Sequence, residues 1–450
     1  MYDVEVCPGW FKAEVLCPNL EVLYIWEANS ITALCSHQLP APYFSKLEAL
    51  EVQNCGELRN LMSPSMARGL LNLRKLRIEE CQSMEEVITE DQEQQGEQIM
   101  IEPLFLVLEV VILDMLPKLR HFFLTNTPSL ESVNNDDEVK AVDTMFNSKV
   151  SCLNLKELEL AGANCITSLC THQLPMGYFS KLEKLVVRKC GELGNLMSQS
   201  MARGLLNLRT LWILECQLME EVITDEEQQG EEIMTNEPLF PVLEELKLYD
   251  LPKLGHFILT KHVVEFPFLK EVAIRDCPKM KSFIQQGTES TLNFESVNND
   301  DELKVVDFNK TMFNSKVSCP NLEALSIWRA NNITALCSPS VARSLLNLRT
   351  LWIVFCQSME EVITEEEQQG DEIMTNDTLF RRLEELKLYN LPELGHFILT
   401  KRTLEFPFLR GVQIHGCLAM KTFVQQGSVS TPSLEIVNDD DEVKVDDLNE

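Results

Sequence analysis

The stretch LLNLRKLRIEECQSMEEVIT at 70–89 decides the fold, because it returns twice along the chain. It reappears as LLNLRTLWILECQLMEEVIT at 205–224 and as LLNLRTLWIVFCQSMEEVIT at 345–364. Each copy lies in a longer unit that opens with a cysteine and closes on an acidic motif such as ESVNNDDE. The chain therefore consists of three copies of one sequence unit, and a long internal period is typical of repeat architectures.

A shorter frame, LxxLxIxxC, runs inside every unit. Successive anchor leucines lie 26 or 27 residues apart within a unit, or 35 where an acidic insert intervenes. The third unit lacks 27 residues between its opening cysteine and LLNL, which is the length of one frame. Gain and loss of whole frames indicate a solenoid, in which each repeat contacts its neighbours. The thirteen frames begin at Leu20, Leu47, Leu73, Leu108, Leu155, Leu182, Leu208, Leu243, Leu269, Leu322, Leu348, Leu383 and Leu409.

The frame predicts an α/β solenoid, namely a leucine-rich-repeat horseshoe of about thirteen repeats. Its leucine and L-x-I positions alternate at period two, so they face inward from short strands that form a parallel concave β-sheet. We expect an irregular or short-helical convex side. There the segments 65–71 and 200–206, both SMARGLL, predict a helix with Ser65 or Ser200 as its N-cap.

We divide the chain into a remnant at 1–16 and a leucine-rich-repeat domain at 17–450. Acidic loops separate the units 17–147, 152–315 and 319–450 of that domain. A solenoid normally has polar terminal caps, and neither end shows a recognisable one. We interpret this as a sign of truncation, so the chain is either a receptor fragment or a stand-alone repeat protein.

The charge balance is strongly acidic, with 39 Lys and Arg against 70 Asp and Glu and a net charge of −31. Binding to nucleic acid through a basic face is therefore not expected. Six acidic segments carry −38, so the rest of the chain sums to +7. We interpret the segments as solvated loops, with a docking patch for a basic surface as the alternative. The longest apolar neighbourhood, at 103–116, is interrupted by charges and too short to span a membrane.

Cysteine usage favours reduced thiols in the cytoplasm. There are 15 cysteines, an odd number, and no secretory signal precedes them. Seven occupy the last frame position, where they form a ladder of buried thiols rather than a metal site. These seven are Cys55, Cys81, Cys190, Cys216, Cys277, Cys356 and Cys417.

No motif predicts catalysis, a cofactor or a metal. The chain contains no HExxH, no GxSxG and no Gly-Lys dipeptide, so it holds no P-loop. Three histidines, His121, His256 and His396, share the context L-x-H-F on the convex turn. Recurrence at one repeat position favours packing over catalysis, and we expect a protein that is not an enzyme.

Aromatic residues give the strongest functional signal. Four of the five tryptophans fall on outward strand positions, where a solenoid has no structural need for them. Exposed aromatic side chains on a sheet are typical anchors of a protein-binding surface. The alternative is that they only reflect strand propensity. The predicted protein-binding concave face comprises Tyr24, Trp26, Arg77, Arg188, Trp212, Lys247, Tyr249, Arg275, Trp328, Arg329, Trp352, Lys387 and Tyr389.

The amino-acid sequence of the repeats resembles that of a known family. CPNLEVL, LPKLGHF and especially FPFLKEVAIRDCPKMKSF at 266–283 are similar to the C-terminal leucine-rich repeats of plant coiled-coil nucleotide-binding disease resistance proteins. The resemblance covers the chain from about residue 17, whereas the family's nucleotide-binding motifs match nothing here. Activation by ATP is therefore not carried over.

The resemblance implies a ligand-sensing and autoinhibitory module of an immune receptor in plant defence. Its partners would be a pathogen effector or host target and a nucleotide-binding domain of the full receptor. Two alternatives stay open. One is a stand-alone adaptor, for example for substrate recognition by a ubiquitin ligase, and the other is a receptor fragment without function.

Overall fold

A computed structural model describes residues 17–34, 44–89, 104–123, 144–146, 152–170, 178–224, 238–260, 262–285, 311–364, 378–438, 440–441 and 448–449. The chain divides into two compact units, Met1–Met219 and Glu220–Glu450, which we call unit 1 and unit 2. Most of each acidic loop lies outside the described residues, so its role stays a prediction.

Unit 1 alternates five-residue strands with shorter ones. In chain order its elements are β1 (Val22–Trp26), β2 (Ala49–Gln53), β3 (Asn60–Met62), α1 (Pro64–Gly69), β4 (Lys75–Glu79), β5 (Glu86–Ile88), β6 (Val110–Asp114), β7 (His121–Phe123), β8 (Thr144–Phe146), β9 (Glu157–Ala161), β10 (Ser168–Cys170), β11 (Lys184–Arg188), β12 (Met197–Ser198), α2 (Gln199–Gly204) and β13 (Thr210–Leu214).

Unit 2 follows the same alternation. Its elements are β14 (Glu221–Thr224), β15 (Glu245–Tyr249), β16 (His256–Leu259), β17 (Val264–Glu265), β18 (Glu271–Arg275), β19 (Ser282–Gln285), β20 (Thr311–Phe313), β21 (Val317–Ser318), β22 (Ala324–Trp328), β23 (Ala335–Cys337), α3 (Pro339–Ser344), β24 (Thr350–Val354), β25 (Glu361–Ile363), β26 (Glu385–Tyr389), β27 (His396–Leu399), β28 (Thr403–Glu405), β29 (Gly411–His415), β30 (Val424–Gln425), β31 (Ser428–Ser430), β32 (Ile436–Val437) and β33 (Asp440–Asp441).

The five-residue strands form the long parallel sheet of each unit. In unit 1 its order is β1-β2-β4-β6-β9-β11-β13, and in unit 2 it is β15-β18-β22-β24-β26-β29, followed by β32. Burial alternates along these strands: in β4, Leu76 and Ile78 are fully buried while the three flanking residues face outward. The predicted parallel sheet and leucine-rich-repeat solenoid are confirmed, because the frame residues stack inward as their period requires.

The residue that follows each long strand takes a left-handed conformation. Glu80, Lys189 and Arg329 have φ of 55°, 54° and 52°. Their backbone N–H groups donate to the last carbonyl of the next strand, as from Lys189 to Leu214 and from Glu80 to Asp114, each at 2.9 Å. This hydrogen bond adds one rung to the sheet and turns the chain inward at the same place in each repeat.

The side opposite the long sheet combines three short helices with short parallel strands. In unit 1, β3, β5 and β7 pair in register, and in unit 2, β20, β23, β25, β27 and β30 do so. Buried phenylalanines stack between these repeats, for example Phe257 on Phe283 at 4.8 Å and Phe397 on Phe423 at 4.6 Å between ring centroids. These strands make this side more regular than the sequence suggested, since three-residue strands are too short to show a period.

The predicted caps of the helices are wrong by two residues. The α1 helix begins at Pro64, and its N-cap is Ser63, whose hydroxyl accepts a hydrogen bond from the Met66 backbone N–H at 3.3 Å. In α2 the cap is Ser198 rather than Ser200. Proline is favoured in the first turn of a helix because its missing N–H has no intrahelical partner there, so Ser63 precedes it as the cap. The Ser65 hydroxyl instead hydrogen-bonds Ser63 Oγ at 2.8 Å.

Charged side chains run along the start of the long strands, and their signs alternate except between the neighbours Glu21 and Glu48. In unit 2 each residue's backbone N–H donates to the carbonyl of the one before it at 2.8–2.9 Å, so the residues are neighbours in space. Lys270 pairs with Glu244 at 2.7 Å and Arg349 with Glu384 at 3.4 Å. We call this the charge row, which in unit 2 is Glu244, Lys270, Glu323, Arg349, Glu384, Arg410 and Glu435, and in unit 1 is Glu21, Glu48, Arg74, Glu109, Lys156, Glu183 and Arg209.

The last described residues of unit 2 differ from the repeats before them. Strand β33 pairs antiparallel with β32 and so ends the parallel order of the sheet. The Asn449 side chain accepts from the Val424 backbone N–H at 2.8 Å and donates to the Gly427 carbonyl at 3.4 Å. These two hydrogen bonds could not be predicted from the sequence, because a single amide that satisfies two backbone groups leaves no composition signal.

Substitution of Gly162 tests the left-handed turn. Gly162 has φ of 65°, and an added Cβ would lie 3.1 Å from Met115 Cα. We expect Gly162→Ala to lower the free energy of unfolding by about 1–2 kcal/mol, because an L residue is strained there and the contact is with backbone. Urea denaturation measures the loss. Gly194→Ala in the same unit is the control, since nothing lies within 4 Å of its added Cβ; equal losses would contradict the turn argument.

Reversal of one charge tests the charge row. Glu109 pairs with Arg74 at 2.9 Å and with Lys156 at 3.3 Å, so Glu109→Lys would place three cations side by side. We expect a loss of about 1–2 kcal/mol in unfolding free energy, since each exposed pair contributes about 0–1 kcal/mol and repulsion is added. Glu109→Gln should lose less than half of that. High salt should shrink the difference between the two variants, and a loss that salt does not change would point to packing instead.

Candidate functional site

The structure places twelve of the thirteen predicted site residues on the outward side of the long sheets. All twelve occupy the third or fifth position of a five-residue strand; Trp212, for example, is the third residue of β13 and Trp328 is the fifth residue of β22. Arg329 is the exception, because it is the left-handed residue after β22. We call the outward side of each long sheet its sheet face. Whether this face binds a ligand stays a prediction.

In unit 1 the predicted aromatic residues are far apart. Tyr24 and Trp26 lie on β1, the first strand of the sheet, and are 53% and 58% exposed. Trp212 lies on β13, six strands further along the sheet, which is about 29 Å away at the usual strand spacing. The sheet face of unit 1 therefore does not bring these three residues together.

Ion pairs occupy the strands between those aromatic residues. Lys75 contacts Glu51 at 2.7 Å, and Lys184 contacts Glu157 at 2.5 Å. The Arg188 guanidinium meets two carboxylates at once, those of Asp114 at 2.6 Å and Glu159 at 3.2 Å. The predicted residue Arg77 is likewise paired, with Glu79 at 2.6 Å. The charges on the sheet face of unit 1 thus neutralise one another.

Unit 2 brings the predicted residues together. Register pairing aligns the fifth strand positions of six consecutive strands into one row, which includes the predicted residues Tyr249, Arg275, Trp328 and Tyr389. Trp352 and Lys387 are register partners two residues earlier on β24 and β26. We call these eight residues the cation–aromatic patch: Tyr249, Arg275, Trp328, Val354, Tyr389, His415, Trp352 and Lys387.

Cations in the patch lie over tryptophan rings. The Arg275 guanidinium carbon is 5.4 Å from the Trp328 ring centroid, and Lys387 Nζ is 4.3 Å from that of Trp352. Such contacts are attractive because the face of an indole ring carries partial negative charge.

Asp276, which follows β18 beside the patch, contacts two arginines. Asp276 Oδ2 accepts from Arg275 Nε at 3.2 Å, and its Oδ1 accepts from Arg329 Nη1 at 2.9 Å. One carboxylate therefore serves two guanidinium groups, whereas in unit 1 two carboxylates serve Arg188. Lys247, the remaining predicted residue, ion-pairs with Glu245 on its own strand. The two sheet faces thus differ in charge stoichiometry although the repeat frame is the same.

Three contributors to the patch were missed by the sequence reasoning. His415 lies beside Tyr389 with 5.0 Å between ring centroids and 42° between the ring planes, and Gln413 accepts a hydrogen bond from the Tyr389 hydroxyl at 3.2 Å. Asp276 joins the two arginines. His415 occupies the same frame position as Tyr389, so the frame itself could have identified it if all outward positions had been compared rather than tryptophan and tyrosine alone.

The cysteine ladder is a structural feature. Each of the seven predicted cysteines donates its thiol to the carbonyl two residues earlier, at sulfur–oxygen distances of 3.3–3.7 Å. Six of the seven are buried, and Cys417 is partly exposed. Burial raises the pKa of Cys277 and of Cys356 to about 12. The thirteen described cysteines are all free thiols.

The recurrent histidines each face a glutamate on a neighbouring short strand. His256 Nε2 lies 3.2 Å from Glu221, and His396 Nε2 lies 3.4 Å from Glu361. In unit 1, His121 is the register partner of Glu86. These pairs tie adjacent repeats together. Among the described residues no three His, Cys, Asp or Glu side chains are grouped as a metal site.

This architecture defines a leucine-rich-repeat protein, because short parallel strands carry the LxxLxI frame at successive repeats. The family model of plant disease resistance protein RPS2-like leucine-rich repeats matches residues 19–144, 154–294 and 291–429. These matches cover most of the chain, so the chain belongs to that family, and the resemblance to the repeats of plant immune receptors is confirmed. No curated protein matches the chain. None of the described helices has the length and apolar character that crossing a membrane requires.

Thiol accessibility tests the ladder and its surroundings. Cys165 is partly exposed, whereas Cys152 and Cys319 are buried and burial raises the pKa of each to about 12. We expect iodoacetamide to alkylate Cys165 of the folded protein at least about tenfold faster than Cys152 or Cys319, because only an accessible thiolate reacts. Mass spectrometry of the peptides measures this. In urea the rates should converge, and equal rates in the folded protein would contradict the burial described here.

Proposed function

We propose that this chain is a non-enzymatic protein-recognition module of plant defence whose ligand site is the cation–aromatic patch of unit 2. The observation that carries the proposal is the continuity of the patch. Trp328 and Trp352 lie on adjacent strands, and Tyr389 follows on the next. Aromatic residues held by neighbours and surrounded by polar groups are typical binding hot spots, since they supply large contact area at small entropic cost.

The ligand would be a protein, either a pathogen effector or a host protein that an effector modifies. Within a full-length receptor the same repeats would restrain a nucleotide-binding domain until the ligand binds. We propose that the module acts in the cytoplasm. The free, buried thiols support a reducing compartment, because cysteines persist as thiols where glutathione keeps them reduced.

Removal of the two patch tryptophans tests the proposal. The double variant Trp328→Ala and Trp352→Ala should lose at least about 2 kcal/mol of binding energy toward a partner, since that is the usual loss at a hot spot. Affinity purification with immobilised wild-type and variant chains from plant extract, followed by titration of any protein that the variant fails to retain, measures the effect. Circular dichroism should be unchanged, because both side chains lie on the outward side of the strands.

Phe268 and Phe408 provide a matched control in the same unit. They are exposed aromatic residues, at 53% and 52%, but they lie in the turns before β18 and β29 rather than on the sheet face. Their replacement by Ala should leave binding unchanged. Retention of the partner by the tryptophan variant, or its equal loss from the phenylalanine variant, would exclude the patch as the site.

A further inference from the structure

The sheet face of unit 2 is polarised along the strand direction. The first positions of the strands carry the carboxylates Glu245, Glu271 and Glu385, while the third and fifth positions carry the cation–aromatic patch. The two ends of a five-residue strand are about 13 Å apart, which exceeds the screening length of about 8 Å at physiological ionic strength. A ligand at the carboxyl ends of the strands therefore meets Arg275, Arg329 and Lys387 together with Asp250 and Asp276, rather than the glutamates of the first positions.

Those cations are not fully neutralised by described residues. Lys387 Nζ lies over Trp352, and no described carboxylate oxygen lies within ion-pair distance of it. Asp276 is shared between Arg275 and Arg329, and both arginine side chains remain 54% exposed. Among the described residues, three cations, Arg275, Arg329 and Lys387, thus stand against two carboxylates, Asp250 and Asp276, at this end of the strands.

We infer that the partner of the patch is an acidic segment of a protein that also carries apolar side chains. This inference rests on the proposed function and adds the chemistry of the ligand. Carboxylates of the segment would meet Lys387 and the guanidinium groups of Arg275 and Arg329, while its apolar side chains would cover Trp328 and Trp352. Complementary charge favours encounter and fixes the orientation of a ligand, and the aromatic rings contribute contact area.

The geometry also sets the spacing of the ligand's charges. Arg275 on β18 and Lys387 on β26 are three strands and two strand positions apart, which corresponds to about 16 Å between their backbones. An extended chain covers that span in about five residues. The segment would therefore carry acidic residues about five positions apart with apolar residues between them, and it would cross the strands of the sheet.

The sheet face of unit 1 provides the internal comparison. There Lys184 Nζ lies 5.9 Å from the Trp212 ring centroid, a cation–aromatic pair of the same kind. This lysine is already paired with Glu157 at 2.5 Å. An acidic segment would have to displace that carboxylate, so the same pair of residue types is not a site for it.

Two peptides of opposite charge test the inference. The acidic peptide is a short fluorescein-labelled sequence of Glu, Leu and Gly with glutamates five positions apart, and the basic peptide carries Lys in place of each Glu. Fluorescence anisotropy at physiological ionic strength is measured with the full chain. We expect the acidic peptide to bind and the basic peptide to bind at least about tenfold more weakly, because only the acidic one complements the patch.

Charge variants locate the binding site. The double variant Arg275→Glu and Lys387→Glu should weaken the acidic peptide at least about tenfold and improve the basic one. The double variant Arg275→Met and Lys387→Met is the milder version, which keeps the apolar stems and should also weaken the acidic peptide. Lys184→Glu in unit 1 is the matched control and should change neither affinity.

The outcomes separate this inference from the proposed function. If the basic peptide binds as well as the acidic one, or if Lys184→Glu weakens binding as much as the patch variants, the inference is overturned. If the acidic peptide fails to bind while a natural partner still depends on Trp328 and Trp352, the ligand chemistry is wrong and the recognition site stands. If the acidic peptide fails to bind and the natural partner is also retained by the variant that lacks Trp328 and Trp352, the inference and the proposed function are both wrong.

Discussion

One backbone hydrogen bond organises the whole protein. At the end of most long strands a residue in the left-handed conformation donates its N–H to the last carbonyl of the neighbouring strand, as Asp276 does to Trp328 at 2.9 Å. Because the turn must fall at this residue, every repeat starts inward at the same point and every strand keeps the same register. The buried leucines, the cysteine ladder, the charge row and the cation–aromatic patch are all consequences of that shared register.

The buried half of this arrangement is readable from the sequence, and the outward half is not. Leu73, Leu76 and Ile78 could be assigned because burial imposes a strict period of two. The outward positions carry no such constraint, and their meaning depends on neighbours far away in the chain, as for Arg188 and Asp114, which are 74 residues apart. The sequence therefore identified the candidate residues but not that unit 2 gathers them and unit 1 separates them.

The two sheet faces show how one repeat frame accommodates different surfaces. In unit 1 Arg188 is held by two carboxylates, and in unit 2 Asp276 is held by two guanidinium groups. This difference between the two faces leaves the fold unchanged, since the buried residues of the LxxLxI frame are of the same kind in both units. Under the proposed function, recognition would depend on the identities at the third and fifth strand positions, while the buried second and fourth positions carry the fold.

Because charges of opposite sign alternate along most of the charge row, it matters whether an odd or an even number of repeats is added or lost. Where signs alternate between neighbours, the insertion or loss of a single repeat brings two like charges together, whereas a change of two repeats does not. The third sequence unit has one frame fewer than the second, and it carries Glu323 where the second carries Lys156. That exchange restores alternation, because Glu323 lies between Lys270 and Arg349. The signs along the charge row thus fit the loss of one whole repeat from the third sequence unit.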